Sequence, residues 1–168
     1  PARSAIMDAA HRAHQLGAKV SLDANYAPSL WPDRHEARRC VAKYVEGGLV
    51  KLSDDDAHRL FGRTVDLEDV LAYFHEQSVE LVCYTLGAAG SVVSWDNGAR
   101  RKHFPVEAVE VKDATGAGDA YWSGFLSAFS QGHAPEVCAQ AGARMAARKI
   151  STIGPLPTRL ATDFLYGK

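Results

Sequence analysis

Apolar positions along the chain switch repeatedly between two periods. Ile6, Ala9, Ala10, Ala13 and Leu16 recur at spacings of three and four, which predicts a helix capped by Ser4 and closed by Gly17. The run 18–23 is short and apolar enough for a strand ending at Asp23. A polar loop holding Pro28 and Pro32 follows, then a predicted helix over 34–44, broken by Gly47-Gly48. Leu49 to Leu52 reads as a buried strand, 54–61 as a short helix before Gly62, and 67–76 as another helix. The strongest strand signal is 81–86. The runs 90–95 and 100–104 flank Asn97-Gly98, a pair suited to a hairpin turn with both residues at positive φ. Two long helices are predicted, over 117–130 and 135–149, and a last short one over Thr158–Leu165.

Strands alternating with helices predict an α/β domain in three layers, α/β/α, with a mainly parallel sheet and one antiparallel hairpin. Ligands of such sheets sit beyond the carboxyl ends of the strands, where 23–25, 53–56 and 85–87 all fall.

Composition narrows the classes. With 168 residues, a single domain spanning 1–168 is expected. Nineteen Lys+Arg against twenty Asp+Glu give a net charge of −1, so no global field selects nucleic acid or an anionic membrane as partner. No apolar run approaches the roughly 18 residues of a membrane-spanning helix. Cys40, Cys83 and Cys138 form no C-x-x-C pair, and no N-x-[ST] sequon occurs. A cytoplasmic setting is the expectation. The chain opens on Pro1 rather than Met, and its first element is a helix, which leads one to expect a segment upstream.

The candidate chemistry lies at Asp113-Ala114-Thr115-Gly116-Ala117-Gly118-Asp119, which opens the helix at Ala117. Glycines around one alanine permit a tight turn and leave N–H groups bare at a helix N-terminus, where the dipole also favours an anion. Asp119 falls in the first turn. A carboxylate beside a phosphate is unfavourable unless it has a task such as deprotonating an attacking hydroxyl. The plainer readings are that Asp119 complements the helix dipole and that the glycines only shape a loop. A dinucleotide fingerprint is disfavoured because Tyr121 stands where the third glycine belongs. His11 and His14, three apart on a helix, have no third ligand nearby in sequence, and Trp31, Trp95 and Trp122 read as packing. Arg100, Arg101 and Lys102 read as a charged sheet edge.

Residues 113–121 resemble the signature of the ribokinase-like (PfkB) sugar kinases, D-T-x-G-A-G-D-x-F, with Ala114 and Tyr121 as departures. The segment Ser21-Leu22-Asp23-Ala24-Asn25 through Leu30-Trp31 resembles the D-x-N-x-R-x-x-L-W stretch of fructokinases and 2-keto-3-deoxygluconate kinases, with Ala27 in place of the arginine. Lys51 to Asp56 is similar to the N-x-x-E stretch, and Thr85 to Ser91 to T-L-G-x-x-G-S. These motifs, in family order, cover about residues 18–157.

The resemblance implies a ribokinase-like fold and the nucleotide-binding, catalytic half of a kinase transferring phosphate from ATP to a sugar or sugar acid. The sugar-binding half with its small β lid would lie N-terminal to it. Asp119 would be the base. The N–H groups of Gly116, Ala117 and Gly118, with Thr115, would hold the transferring phosphoryl group. Thr85, Gly87 and Gly90 would border the nucleotide, and Ser53 and Asp56 would belong to the region organising Mg2+ and phosphates. A second reading makes Asp54, Asp55 and Asp56 simply the acidic first turn of a helix. Asp23 and Asn25 would lie near the sugar. Asp113 would lie near the monovalent-cation (K+) site of some members, although the stretch that continues that loop, Ile153-Gly154-Pro155-Leu156-Pro157, is shortened. A homodimer of the full-length parent is compatible with the resemblance. Two other readings stay open on the residues alone: a nucleotide-binding module without phosphotransfer, and a folded remnant lacking the sugar site.

Overall fold

The computed structural model describes residues 2–106, 108–157 and 162–166. The elements are α1 (Ala2–Gln15), β1 (Ser21–Asp23), α2 (Arg34–Tyr44), β2 (Leu49–Ser53), α3 (Asp54–Phe61), α4 (Leu67–Glu76), β3 (Leu81–Thr85), β4 (Ser91–Trp95), β5 (Arg100–Phe104), α5 (Ala117–Ser130), α6 (Pro135–Ile150) and α7 (Thr162–Tyr166). A 3₁₀ turn spans Gly87–Ala89. The strands form one five-stranded sheet in the order β1-β2-β3-β4-β5. β1 and β2 run parallel, as do β2 and β3. The expected α/β architecture, with a mainly parallel sheet flanked by helices and a terminal hairpin, is what forms.

The chain is described as two compact units: residues 1–85 with 94–101, and residues 86–93 with 102–168. In the first unit, Leu49, Val50 and Leu52 of β2 and Leu81 and Val82 of β3 are almost fully buried. Near-continuous burial along a strand marks a parallel sheet covered on both faces, and it explains why these runs lack a polar alternation. Val70 and Phe74 of α4 are buried as well, whereas Leu60 of α3 packs in a separate cluster with Tyr26 and Ala37. Caps fix the helix starts. Asp33 accepts from the N–H groups of His35 and Glu36, and Asp66 from that of Asp69.

The second unit is built on the α5–α6 pair. Gly124 and Gly142 sit where the two helices approach most closely. A Cβ at 124 would lie 2.7 Å from the Ala141 carbonyl oxygen, and one at 142 would lie 2.8 Å from that of Tyr121. Phe125, Ala128, Cys138, Ala139 and Ala141 fill the contact.

Several boundaries move. α1 is already helical at Ala2, so Ser4 lies inside the helix and is not its cap. Of the expected apolar stripe only Ala10 is buried, while Ile6 and Leu16 stay exposed. The expected strand 18–23 shortens to Ser21–Asp23, and the strand over 81–86 ends one residue early, because Leu86 turns into the 3₁₀ segment. The hairpin turn starts at Asp96: Asp96, Asn97 and Gly98 all have positive φ, and the Gly98 N–H donates to the Trp95 carbonyl. For the expected helix over Thr158–Leu165, residues 158–161 lie outside the described ones, and α7 covers the remainder.

Candidate functional site

Three parallel strands of the first unit deliver their C-terminal residues to one sheet edge. Registers pair Asp23 with Lys51 and Ser53 with Thr85, so the three predicted strand-end positions align as expected of an α/β binding edge. Lys51, 5% exposed, donates from Nζ to Asp23 Oδ2 at 2.7 Å. That pairing holds the Asp23 carboxylate in place, and the sequence reading missed Lys51's part in it. The Asn25 side chain is exposed, and Asp23 and Asn25 line a groove of about 420 Å3 with Met7, Trp31 and Tyr44.

Ser53 and Asp56 are engaged with each other. Ser53 Oγ accepts the Asp56 N–H at 3.1 Å and donates to Asp56 Oδ2 at 2.5 Å, a capping box for α3. Asp56 is buried, with Arg59 beside its other oxygen at 3.7 Å. This geometry is that of the helix cap in the second sequence reading. Asp54 accepts from the buried Tyr84 hydroxyl at 2.8 Å. Burial, then Asp54, push the Tyr84 phenol well above its ordinary value. Thr85 Oγ1 reaches the Leu52 carbonyl at 3.5 Å.

In the second unit the Gly87–Ala89 turn is closed by hydrogen bonds between Leu86 and Gly90 and between Gly90 and Gly87. Gly90 is irreplaceable there: its φ is +94°, and a Cβ would lie 2.1 Å from the Phe104 carbonyl oxygen. Ser91 Oγ and Tyr121 Oη, both buried, share a hydrogen bond of 2.8 Å. Tyrosine at the position where the resemblance has Phe thus ties the start of β4 to α5.

The 113–119 loop is the best-defined candidate. Gly116, in the left-handed region at φ +76°, is the N-cap of α5, and no side chain caps this end. Asp119 lies in the first turn and is exposed. Asp113 anchors the loop. Its Oδ1 accepts the Thr115 N–H at 2.9 Å, and its Oδ2 lies 3.4 Å from Lys149 Nζ. The bond from Thr115, and secondarily Lys149, hold the Asp113 carboxyl below the usual carboxylate range. The N–H groups of Lys112 and Asp113 both donate to the Ile150 carbonyl, at 2.7 and 3.1 Å, pinning the loop to the end of α6. Lys149 is a residue that motif spacing could not flag, because it lies 36 positions from Asp113.

The remaining candidates fall to plain roles. His11 contacts Gln15, and among the described residues no three His, Cys, Asp or Glu side chains cluster for a metal. Trp95 and Trp122 are buried packing. Arg100 to Lys102 lie exposed on β5. Burial pushes the Cys138 thiol up to about 11, as for a buried cysteine that packs in the core. Among the described residues no helix is long and apolar enough to cross a membrane.

The fold and these strand-end loops define a ribokinase-like α/β protein. Residues 2–159 match the model of the pfkB family carbohydrate kinases, and the chain belongs to that family. It is 33% identical over 157 residues to an ATP-dependent 6-phosphofructokinase of Thermoanaerobacterium thermosaccharolyticum, an alignment covering 93% of this chain and 48% of that protein. Among solved structures, aminoimidazole riboside kinase from Salmonella enterica, complexed with aminoimidazole riboside and an ATP analog, superposes with a TM-score of 0.77 at 27% identity, over 92% of this chain and 53% of that one. A fructokinase double mutant from Vibrio cholerae O395, bound to fructose, ADP and potassium ion, gives 0.77 at 28%, over 92% and 51%. The chain spans about half the length of the curated relatives it matches.

Proposed function

We propose that this chain is the nucleotide-binding and phosphoryl-transfer half of an ATP-dependent sugar or sugar-acid kinase. The observation that carries the reading is the uncapped N-terminus of α5, made by Gly116 in the left-handed region, with Asp119 exposed in its first turn. The N–H groups of Gly116 and Gly118 supply preorganised donors for the charge that develops on the transferring phosphoryl group, Thr115 borders them, and the Ala117 N–H, which donates to the Ala114 carbonyl at 3.2 Å, joins them only by leaving that bond. Asp119 accepts the proton of the sugar hydroxyl as its oxygen attacks phosphorus and ADP leaves. Gly87 and Gly90 border the nucleotide, and Thr85 belongs to the same role. Asp23, held by Lys51, and Asn25 serve the sugar side of the first unit. Mg2+ bound with ATP would supply neutralisation of the phosphate charge.

Calorimetric titration with MgADP tests the reading. The chain is expected to bind, and Gly118→Val is expected to abolish binding while leaving the circular-dichroism spectrum unchanged, because the new side chain takes the phosphate's place. No affinity in the wild type, or unchanged affinity in the variant, overturns it.

A further inference from the structure

The family resemblance attaches a monovalent cation to the neighbourhood of Asp113, and the related Vibrio cholerae fructokinase holds a potassium ion. The residues present here do not fit such an ion. An alkali ion is held by a cage of oxygen atoms that replaces its water, and the Asp113 carboxylate and the carbonyls at the end of α6 already carry partners. Oδ1 accepts the Thr115 N–H, and Oδ2 faces the Lys149 ammonium. At the adjoining end of α6, the Ile150 carbonyl accepts two N–H groups, the Lys149 carbonyl accepts the Thr152 N–H at 3.0 Å, and the Arg148 carbonyl accepts the Thr152 hydroxyl at 2.9 Å. The Ala147 carbonyl takes the Ser151 hydroxyl at 2.9 Å.

A positive charge is nevertheless present. Lys149 is 9% exposed, and a buried ammonium needs a counter-charge, which Asp113 provides. Its Cε lies 3.8 Å from where a Cβ would project at Gly116, so the aliphatic stem passes under the residue that starts the anion-binding turn. A second cation at Asp113 would be repelled by the ammonium already there.

We propose that Lys149 takes the place of a dissociable alkali ion in this chain: its ammonium is a tethered monovalent cation that positions the Asp113–Gly116 loop. The positioning half of this statement rests on the function proposed above, whereas the exclusion of the ion does not. Lys149 acts through Asp113 and the loop, and is a positioning residue.

The experiment has two arms on the 168-residue chain. In the first, the protein is exchanged into tetramethylammonium chloride, and potassium replaces it at constant ionic strength. The melting temperature is followed, together with the 205Tl NMR signal of added Tl+. The wild type is expected to show no potassium-specific shift in melting temperature and no bound Tl+. A saturable response to either ion overturns the proposal. In the second arm, Lys149→Met is expected to weaken MgADP binding about tenfold or more, the usual effect of removing a group that orients a ligand-binding one. Potassium, but not tetramethylammonium, is expected to restore it. Lys149→Arg, which keeps the charge, is expected to stay near the wild type. Unchanged affinity in the Met variant, or equal losses in both variants, overturns the positioning role. If the Met variant does not fold, the first arm still decides. If the wild type binds no MgADP, the proposed function fails, and the first arm judges the ion independently.

Discussion

At the scale of single residues, Asp119 carries the sharpest expectation. Its carboxylate is exposed at the start of α5, beside the N–H groups assigned to phosphate. Removing its charge relieves repulsion with a bound nucleotide but leaves the attacking hydroxyl without a base. In any preparation that shows sugar-dependent ADP release, Asp119→Asn should lower kcat by about 10²–10⁴-fold, with nucleotide affinity unchanged or slightly better. If Asp119 served only the helix dipole, the variant would lose about 0.3–1 kcal/mol of stability and no turnover per folded molecule. Measuring kcat and urea unfolding on one preparation separates these. The place of Asp119 in the first turn of α5 is legible in the sequence because the glycine-rich motif fixes the helix start locally. The places of Lys51 and Lys149 are not, since each finds its carboxylate across 28 or 36 residues of sequence and no periodicity encodes such a pair.

Among elements, α4 and the hairpin strand β4 meet through a histidine. His75 Nδ1 donates to the Val79 carbonyl at 3.0 Å, and Nε2 lies 2.8 Å from Ser94 Oγ, both within the first unit. Burial outweighs the Val79 bond and lowers the His75 pKa. The folded value therefore lies below the unfolded value of about 6.5, and the unfolded chain binds the proton more readily. The stability this provides is present in full above about pH 6.5 and is lost as pH falls through the lower folded value. The urea midpoint should fall between pH 7.5 and 5.5, and His75→Gln should flatten that fall; parallel profiles for the two proteins would show that His75 does not contribute. Element identity was legible from periodicity wherever burial is continuous or one-sided. It blurred at ends such as Leu86, where one backbone conformation decides and side-chain pattern carries no signal. α1 misled in a different way: its spacing matches an amphipathic helix, but Ile6 and Leu16 of that stripe stay exposed.

For the molecule as a whole, the ratio of lengths sets the expectation. Relatives that act as kinases are about twice as long as this chain. The resemblance assigns most sugar contacts and the lid to the other half. A site without a lid is wetter, and water weakens the electrostatic stabilisation of a transferring phosphate. The 168-residue chain alone should bind MgADP yet give little or no ADP release with fructose or 2-keto-3-deoxygluconate, as read by a coupled assay; turnover at rates typical of enzymes, roughly 1–10³ per second, would mean that these residues already hold a complete sugar site.

The close approach of α5 and α6 at Gly124 and Gly142 has a consequence that can be counted. Gly124 lies seven positions after Ala117, and Gly142 lies seven positions before Lys149. Each notch therefore stands about 10.5 Å along its own helix from the loop end, so the pair works as two arms of equal length measured from one pivot. A single residue inserted between Gly142 and Lys149 would leave the pivot intact but swing the ammonium by about 100° around α6, away from Asp113. Spacing between a glycine and a lysine, rather than the identity of any residue in the 113–119 loop, then becomes a quantity that evolution of this chain cannot change one residue at a time.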